Sequence, residues 1–275
     1  MATPAYLWQW LAPRRWWSAA RSRFLQHQTK HPFDRRYGVD TDGLIYADAA
    51  AEGHAGARHN AGYYATAPSL FDGAMALWRG TLAGTGYALE DYALVDIGCG
   101  KGRVLMMATE YAFPEIMGVE LDPGLARVAR KNLSRLGRWR WLGLPHLNGE
   151  MRGTRRAQFS GAPQVSPLRP GRQAIRIVEG DALSVPLPKG PVALFYFNSF
   201  EQEMMEMWLA RLGEIARERT LPLDLIYVHP EFDALVRQVP GVRVAAEAKI
   251  PFSEEDAGAD VFGVASDQCA VYRCG

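Results

Sequence analysis

The sequence has few of the features that mark secreted, membrane-spanning or metal-binding proteins. Three of its 275 residues are cysteine, and they form no C-x-x-C pair, which predicts free thiols in a reducing compartment: Cys99, Cys269 and Cys274. No apolar run reaches the ~20 residues that a transmembrane helix needs. His27 and His31 stand four apart, but no further residue completes a zinc spacing. We therefore expect a cytoplasmic protein with no metal and no transmembrane segment.

A net charge of +1 provides no overall positive field, which argues against nucleic acid as a partner. The charge is nevertheless uneven, because residues 1–33 contain five basic residues and no acid. The four tryptophans of this stretch are Trp8, Trp10, Trp16 and Trp17. Such a Trp/Arg-rich extension fits a transit peptide, a helix at a membrane interface or a segment packed on the protein itself.

We divide the chain into an N-terminal extension, residues 1–60, and an α/β domain, residues 61–275, with a basic insertion at 137–172. The insertion is much longer than an ordinary loop and holds seven arginines against one acid, Glu150. Trp139 and Trp141 lie among these arginines. This composition predicts either recognition of an acidic partner, by charge and stacking, or a disordered surface loop.

The most informative segment joins a buried strand to a buried helix through a glycine turn. Residues 93–97 form a short apolar run that contains Asp96, and Gly98, Gly100 and Gly102 follow at alternate positions. Glycine permits positive φ and lets a ligand approach main-chain N–H groups. We therefore predict a nucleotide-binding turn at this point.

The spacing of the turn separates two classes of nucleotide. A dinucleotide turn has the pattern G-x-G-x-x-G, and the position of its third glycine is occupied here by Arg103. The pattern (V/L)-D-x-G-x-G-x-G resembles motif I of the class I S-adenosylmethionine-dependent methyltransferases. The resemblance implies an α/β fold with a Rossmann-like, doubly wound seven-stranded mixed sheet and a terminal antiparallel strand pair. It also implies S-adenosylmethionine as cofactor, held by Asp96 and the three glycines.

Three further strand ends extend the resemblance over roughly residues 60–275. Glu120 ends a second apolar strand at about the spacing at which a βαβ unit places its ribose-binding acid. Asp181 and Ala182 follow a third strand and resemble the family's segment at the adenine. Asn198 follows a fourth strand, residues 192–197, where the family places a motif beside the methyl group. We expect Asn198 to contact the cofactor or the nucleophile.

Tyr63, Tyr64 and Thr66 precede motif I in a segment that resembles the Y-x-x-T segment of several methyltransferase families. The resemblance implies that these three lid residues cover the methionine end of the cofactor, with Tyr63 and Tyr64 as candidate catalytic residues. Core tyrosines with polar tips at the surface are the other interpretation.

The methyl acceptor, a protein or a small molecule, is the least constrained part of the hypothesis. Residues 195–200 lack the prolines of amino methyltransferases that act on bases, and resemble a short segment of the non-SET histone lysine methyltransferases. This likeness favours a protein amine. Two alternatives stay open: a NAD-dependent oxidoreductase, which shares the strand, turn and ribose acid, and a non-catalytic subunit that binds S-adenosylmethionine.

Overall fold

A computed structural model describes residues 30–44, 62–141 and 173–275. The described residues from His31 onward belong to one compact unit. The Trp/Arg-rich part of the extension, residues 1–29, and most of the predicted insertion, residues 142–172, lie outside the described residues, and so do residues 45–61.

The described residues form one mixed sheet of seven strands in the order β3-β2-β1-β4-β5-β7-β6. The strands are β1 (Ala93–Ile97), β2 (Glu115–Glu120), β3 (Ala174–Glu179), β4 (Val192–Phe197), β5 (Leu223–Val228), β6 (Val242–Pro251) and β7 (Ser266–Cys274). Strands β1 to β5 run parallel, and β7 is antiparallel to both of its neighbours, β5 and β6. This arrangement confirms the predicted fold class, including the terminal antiparallel pair.

Helices cover both faces of the sheet. They are α1 (Pro32–Tyr37), α2 (Pro68–Gly80), α3 (Arg103–Ala108), α4 (Pro123–Trp141), α5 (Gln202–Glu218), α6 (Asp233–Val236) and α7 (Glu254–Ala259). Helix α4 continues to Trp141, so the first residues of the predicted insertion are helical. None of the helices in the described ranges is long and apolar enough to span a membrane.

Alternation along the central strands divides the core into two halves. Leu94 of β1 faces the half that contains α2 and α3, whereas the next residue, Val95, faces the half that contains α5. The strands are buried on both faces, as the continuous apolar runs predict for a parallel sheet. Cys99, Cys269 and Cys274 are buried free thiols, as expected.

Residues 31–44 pack against this domain. Tyr37 and Val39 form a small apolar cluster with Met106 of α3 and Leu136 of α4. We call residues 31–44 the strap, because they cross from α1 to the glycine turn that precedes α3.

Candidate cofactor and substrate site

The glycine turn after β1 directs its backbone N–H groups into the protein. Gly98 and Cys99 donate to the Val119 carbonyl at 2.9 and 3.0 Å, and Gly102 donates to the Cys99 carbonyl at 2.8 Å. Gly100 donates to Glu120 Oε2 at 2.7 Å. Four N–H groups of the turn are thus bonded within the protein, and the binding of a ligand at this turn stays a prediction.

The glycines allow two side chains to lie against the turn. Gly98 and Gly100 have φ values of 74° and 52°, and a Cβ atom on Gly100 would lie 2.2 Å from Tyr63 Cε2. A Cβ atom on Gly98 would lie 2.4 Å from Ser199 Oγ. Positive φ and close approach therefore both require glycine at these two positions.

Gly100→Ala should displace the Tyr63 ring and weaken binding of S-adenosylhomocysteine by about tenfold or more, measured by calorimetry. Gly84→Ala is the matched control, because Gly84 has φ 76° with no atom within 4 Å of an added Cβ. The control carries only the left-handed backbone cost of about 1–2 kcal/mol. Equal binding by the two variants would show that the contact between Tyr63 and Gly100 does not contribute to ligand binding.

Two buried carboxylates flank the turn. Asp96 is 4% exposed at the end of β1, and Glu120 is 7% exposed at the end of β2. Burial raises the pKa of Asp96 well above its ordinary value, and the nearby carboxylate of Glu120 raises it further. Burial also raises the pKa of Glu120, although the N–H groups of Asp122 and Gly100 partly offset this effect. A ligand that brings hydroxyl donors or a positive charge would stabilise the charged forms of these two carboxylates, whereas a phosphate would repel them.

The end of β3 lies beside Glu120. Gly180 donates its N–H to the Glu120 carbonyl at 3.0 Å, which holds the following turn next to this acid. In that turn Asp181 is exposed and accepts the Leu183 N–H at 2.9 Å. Ala182 is partly buried against the core on the α5 side. The structure thus groups Asp96, Glu120 and the segment from Asp181 to Ala182 along three adjacent strand ends.

The strand order reverses between β1 and β4, and open α/β sheets bind ligands outside the strand ends at such a point, which we call the crevice. Ser199 donates to the Ile97 carbonyl at 3.1 Å and so joins the two strand ends across it. Asn198, directly after β4, has φ 44°, and His229, directly after β5, has φ 53°. Positive φ is uncommon outside glycine and concentrates at functional sites.

Charged partners hold both of these residues. Asn198 Nδ2 donates to Glu231 at 2.6 Å, and Asn198 Oδ1 accepts the Tyr227 hydroxyl at 3.0 Å. His229 Nδ1 lies 2.9 Å from Asp267 Oδ1. Burial lowers the pKa of His229, but the hydrogen bond and charge of Asp267 outweigh burial, so the pKa is raised above its ordinary value.

The three lid residues separate onto different parts of the crevice. The Tyr63 hydroxyl donates to the Thr41 carbonyl at 2.5 Å, on the β1 side. Tyr64 donates to Asp260, and its ring lies 6.2 Å from that of Phe197 at the end of β4. Thr66 is buried. Tyr63 and Tyr64, which are adjacent in the chain, therefore lie at the ends of β1 and β4, one on each side of the crevice.

Sequence reasoning missed several polar residues of the site. Glu231 and Asp267 lie next to Asn198 and His229, and Asp260 pairs with Tyr64. Glu231 follows the end of β5 by three residues, a position at which a strand-end search would have found it. Asp260 directly follows α7 and Asp267 is the second residue of β7, and no periodic pattern singles them out.

The strand order, with β7 antiparallel between β5 and β6, defines a Rossmann-like, doubly wound seven-stranded mixed sheet. No family model matches the chain, and no curated protein matches it. Among solved structures, TrmN from Thermus thermophilus is similar at 16% identity and a TM-score of 0.40, over 74% of this chain and 48% of TrmN. This chain thus spans about half the length of TrmN.

Two further structures show the range of activities named among similar proteins. An RNA methyltransferase from Salinibacter ruber, in complex with S-adenosyl-L-homocysteine, is 14% identical over 76% of this chain and 93% of its own, with a TM-score of 0.40. The [4+2]-cyclase SpnF is 16% identical over 75% of this chain and 80% of its own, with a TM-score of 0.41.

Proposed function

We propose that this protein is an S-adenosylmethionine-dependent methyltransferase. The observation that carries the proposal is the pair of buried carboxylates, Asp96 and Glu120, at the ends of β1 and β2 beside the glycine turn. The residues fit this cofactor, because its ribose hydroxyls and ammonium group are donors that two carboxylates attract. Glu120 would hold the ribose, Asp181 and Ala182 the adenine, and the lid the methionine end. Bound there, the cofactor supplies an electrophilic methyl group on a sulfonium.

The oxidoreductase alternative fits the site poorly. A dinucleotide would bring a diphosphate next to two buried carboxylates, whose negative charge would repel it. Arg103, which occupies the third-glycine position, turns its guanidinium to Thr41 and Asp34 instead. A non-catalytic subunit that binds the same cofactor would keep Asp96 and Glu120. Only a measurement of methyl transfer distinguishes such a subunit from an enzyme.

For the acceptor, we propose a cationic amine, with the lysine of a protein as the first candidate. Three carboxylates lie on the substrate side of the crevice, at Glu231, Asp260 and Asp267. Tyr64 is edge-on to Phe262, with ring centroids 5.4 Å apart. Carboxylates and aromatic faces attract an alkylammonium group.

An ammonium must lose a proton before its nitrogen can act as a nucleophile. We assign to His229 the acceptance of that proton, because its ring follows β5 directly and its Nδ1 is bonded to Asp267. The Asn198 amide is held by Glu231 and Tyr227. Because it is neutral, it would orient the lone pair of the substrate amine without stabilising the ammonium form. Alignment of this kind provides much of the rate in a displacement that needs no protonation of its leaving group.

Calorimetry with S-adenosylhomocysteine and NADH tests the cofactor. We expect saturable binding of S-adenosylhomocysteine in the micromolar range, roughly 8 kcal/mol, and no binding of NADH. Saturable NADH binding without S-adenosylhomocysteine binding would overturn the proposal.

Methyl-labelled cofactor separates a catalyst from a binding subunit. The purified protein is incubated with a lysate digested to peptides, with an undigested lysate and with its small-molecule fraction. We expect label on lysine side chains. Label on hydroxyl or carboxyl groups alone would contradict the amine acceptor, and binding with no transfer to any fraction would favour the non-catalytic subunit.

Asn198→Ala should lower turnover by around a hundredfold, the scale at which a small misplacement of reacting groups is felt, with little change in cofactor affinity. Asn198→Gly is the control for the backbone, because glycine accepts φ 44° without strain but also lacks the amide. Equal losses assign the effect to the amide. Turnover near wild type in the glycine variant would show that the loss in Asn198→Ala comes from backbone strain and not from the missing amide.

The pair of His229 and Asp267 should make stability depend on pH. The folded-state pKa of His229 is raised, so the pair stabilises the fold fully below about pH 6.5 and loses this contribution as pH rises through the raised pKa. Urea unfolding of wild type and Asp267→Asn should therefore differ more at about pH 6 than at about pH 9. A difference that stays constant with pH would contradict the proposed pairing.

A further inference from the structure

The strap, residues 31–44, is folded around one buried carboxylate. Asp34 is 1% exposed and accepts the backbone N–H groups of Thr41 and Asp42 at 2.7 and 2.9 Å. The Thr41 hydroxyl also donates to Asp34. These bonds close a loop that begins in α1 and ends at Thr41. Thr41 is fully buried, so its hydroxyl and carbonyl face protein.

Side chains of the glycine turn and of α3 hold this loop. Arg103 is 3% exposed, and its Nε donates to Thr41 Oγ1 at 2.7 Å. Lys101 Nζ donates to the Asp42 carbonyl at 2.6 Å. Asn132 of α4 joins the two segments, because its Nδ2 donates to the carbonyls of both Asp40 and Lys101 at 2.8 and 3.0 Å.

The strap in turn holds the lid. Tyr63 donates its hydroxyl to the Thr41 carbonyl at 2.5 Å, while its ring lies against Gly100. The Lys101 ammonium stands 5.6 Å from the centre of the same ring. The position of Tyr63 over the turn is therefore fixed through Thr41, and Thr41 is held by Asp34 within the strap and by Arg103 from α3.

Arg103 also has unused bonding capacity. Its Nη2 is buried and makes no hydrogen bond to the described residues, although Asp34 Oδ1 lies at 3.7 Å and Asp42 Oδ1 at 3.9 Å. A buried donor without an acceptor is costly, and a small movement of the strap would give it one. The guanidinium additionally lies 5.5 Å from the centre of the Phe33 ring.

We propose that the strap is part of the cofactor site and that Arg103 is its positioning residue, which holds Tyr63 over the glycine turn through Thr41. This inference rests on the proposed function, because it assigns the strap to retention of the same cofactor. Arg103 acts through Thr41 and Tyr63 and contacts no ligand itself. Arg103 occupies the position of the third glycine of a dinucleotide turn, and its role in this proposal is to close the site.

Calorimetry and stopped-flow dissociation of S-adenosylhomocysteine test the coupling in three variants. Tyr63→Phe keeps the ring and removes the bond to Thr41, Arg103→Met removes the clamp, and the third variant combines both. Each single variant should weaken binding by about tenfold through faster dissociation, which corresponds to one hydrogen bond near a charge. The double variant should be no weaker than Arg103→Met, because both changes release the same loop.

Losses that multiply in the double variant would overturn the proposal, and so would unchanged affinity in either single variant. Arg130→Met is the matched control, since Arg130 pairs with Glu179 at the surface, and its affinity should equal wild type. Thr41→Val provides a milder change if Arg103→Met does not fold.

Hydrogen exchange without ligand gives a second readout. Arg103→Met or Thr41→Val should raise amide exchange at residues 62–66, and Arg130→Met should not. Failure of wild type to bind S-adenosylhomocysteine would count against the proposed function, while this exchange experiment would still report whether the strap holds the lid. Unchanged exchange at residues 62–66 would overturn the strap's role.

Discussion

Glu120→Ala should weaken S-adenosylhomocysteine binding by on the order of 2–4 kcal/mol, because a carboxylate that accepts two ribose hydroxyls forms charge-assisted bonds. The structure adds a second effect of this substitution. Glu120 also accepts the N–H groups of Gly100 and Asp122 at 2.7 and 2.8 Å, so alanine leaves two backbone donors of the site without their acceptor. Both effects reduce affinity, and calorimetry measures their sum.

Glu120→Gln separates the two effects. Glutamine keeps one oxygen that can accept a backbone N–H and keeps the size of the side chain, but it removes the charge. We expect most of the affinity loss in this variant, with thermal stability near wild type. Normal affinity in Glu120→Gln together with a large loss of stability in Glu120→Ala would make Glu120 a structural residue of the turn.

Asp224→Ala should lower the free energy of unfolding by about 3–5 kcal/mol, the largest effect we expect from any single substitution considered. Asp224 is fully buried on β5 and accepts Trp78 Nε1 at 3.0 Å and Arg273 Nε at 2.9 Å. Alanine would leave a guanidinium and an indole N–H without their acceptor. Urea unfolding measures the loss.

The control for Asp224 is an exposed ion pair. Glu214→Ala removes a pair with Arg211 whose side chains are 51% and 44% exposed, and it should cost no more than about 1 kcal/mol. Asp224→Asn should fall between the two, because it keeps an acceptor for Trp78. Similar stabilities of Asp224→Ala and Glu214→Ala would show that the buried network contributes little.

Apolar runs were sufficient to predict individual strands, whereas the seven-stranded sheet was implied by the resemblance. Strand β1 has the predicted bounds, and β4 is the apolar run of residues 192–197. The reason is physical, since strands buried on both faces are largely apolar and end at turn residues. The strand ends then carry the site, so the acids Asp96 and Glu120 could be found together with their strands.

The strap could not be predicted in this way. Its bonds join Asp40 to Lys101, Thr41 to Arg103 and Asp40 to Asn132, over 61 to 92 positions of the chain. Such contacts between polar side chains leave no period in the sequence. The sequence analysis therefore placed residues 31–44 in the extension, whereas in the structure they lie in one unit with the sheet.

The glycine turn combines both outcomes. Its position and its need for glycine were predicted from the pattern, and the structure adds a cause that the pattern does not contain, because Tyr63 and Ser199 occupy the space above Gly100 and Gly98. Identical sequence patterns arise when a ligand or a side chain approaches the backbone. Only the three-dimensional arrangement distinguishes them.

The place of β7 in the sheet has a consequence for how the protein is made. Strand β7, residues 266–274, lies between β5 and β6, although both of these strands precede it in the chain. During synthesis β5 emerges with one edge unpaired, and β6 has no neighbour until residues 266–274 have left the ribosome. Unpaired edges of this kind invite pairing with other chains, and long-range strand insertion is slow. A nascent chain that stalls before residue 266 should therefore depend on chaperones for its solubility, even though its strands β1 to β5 are complete.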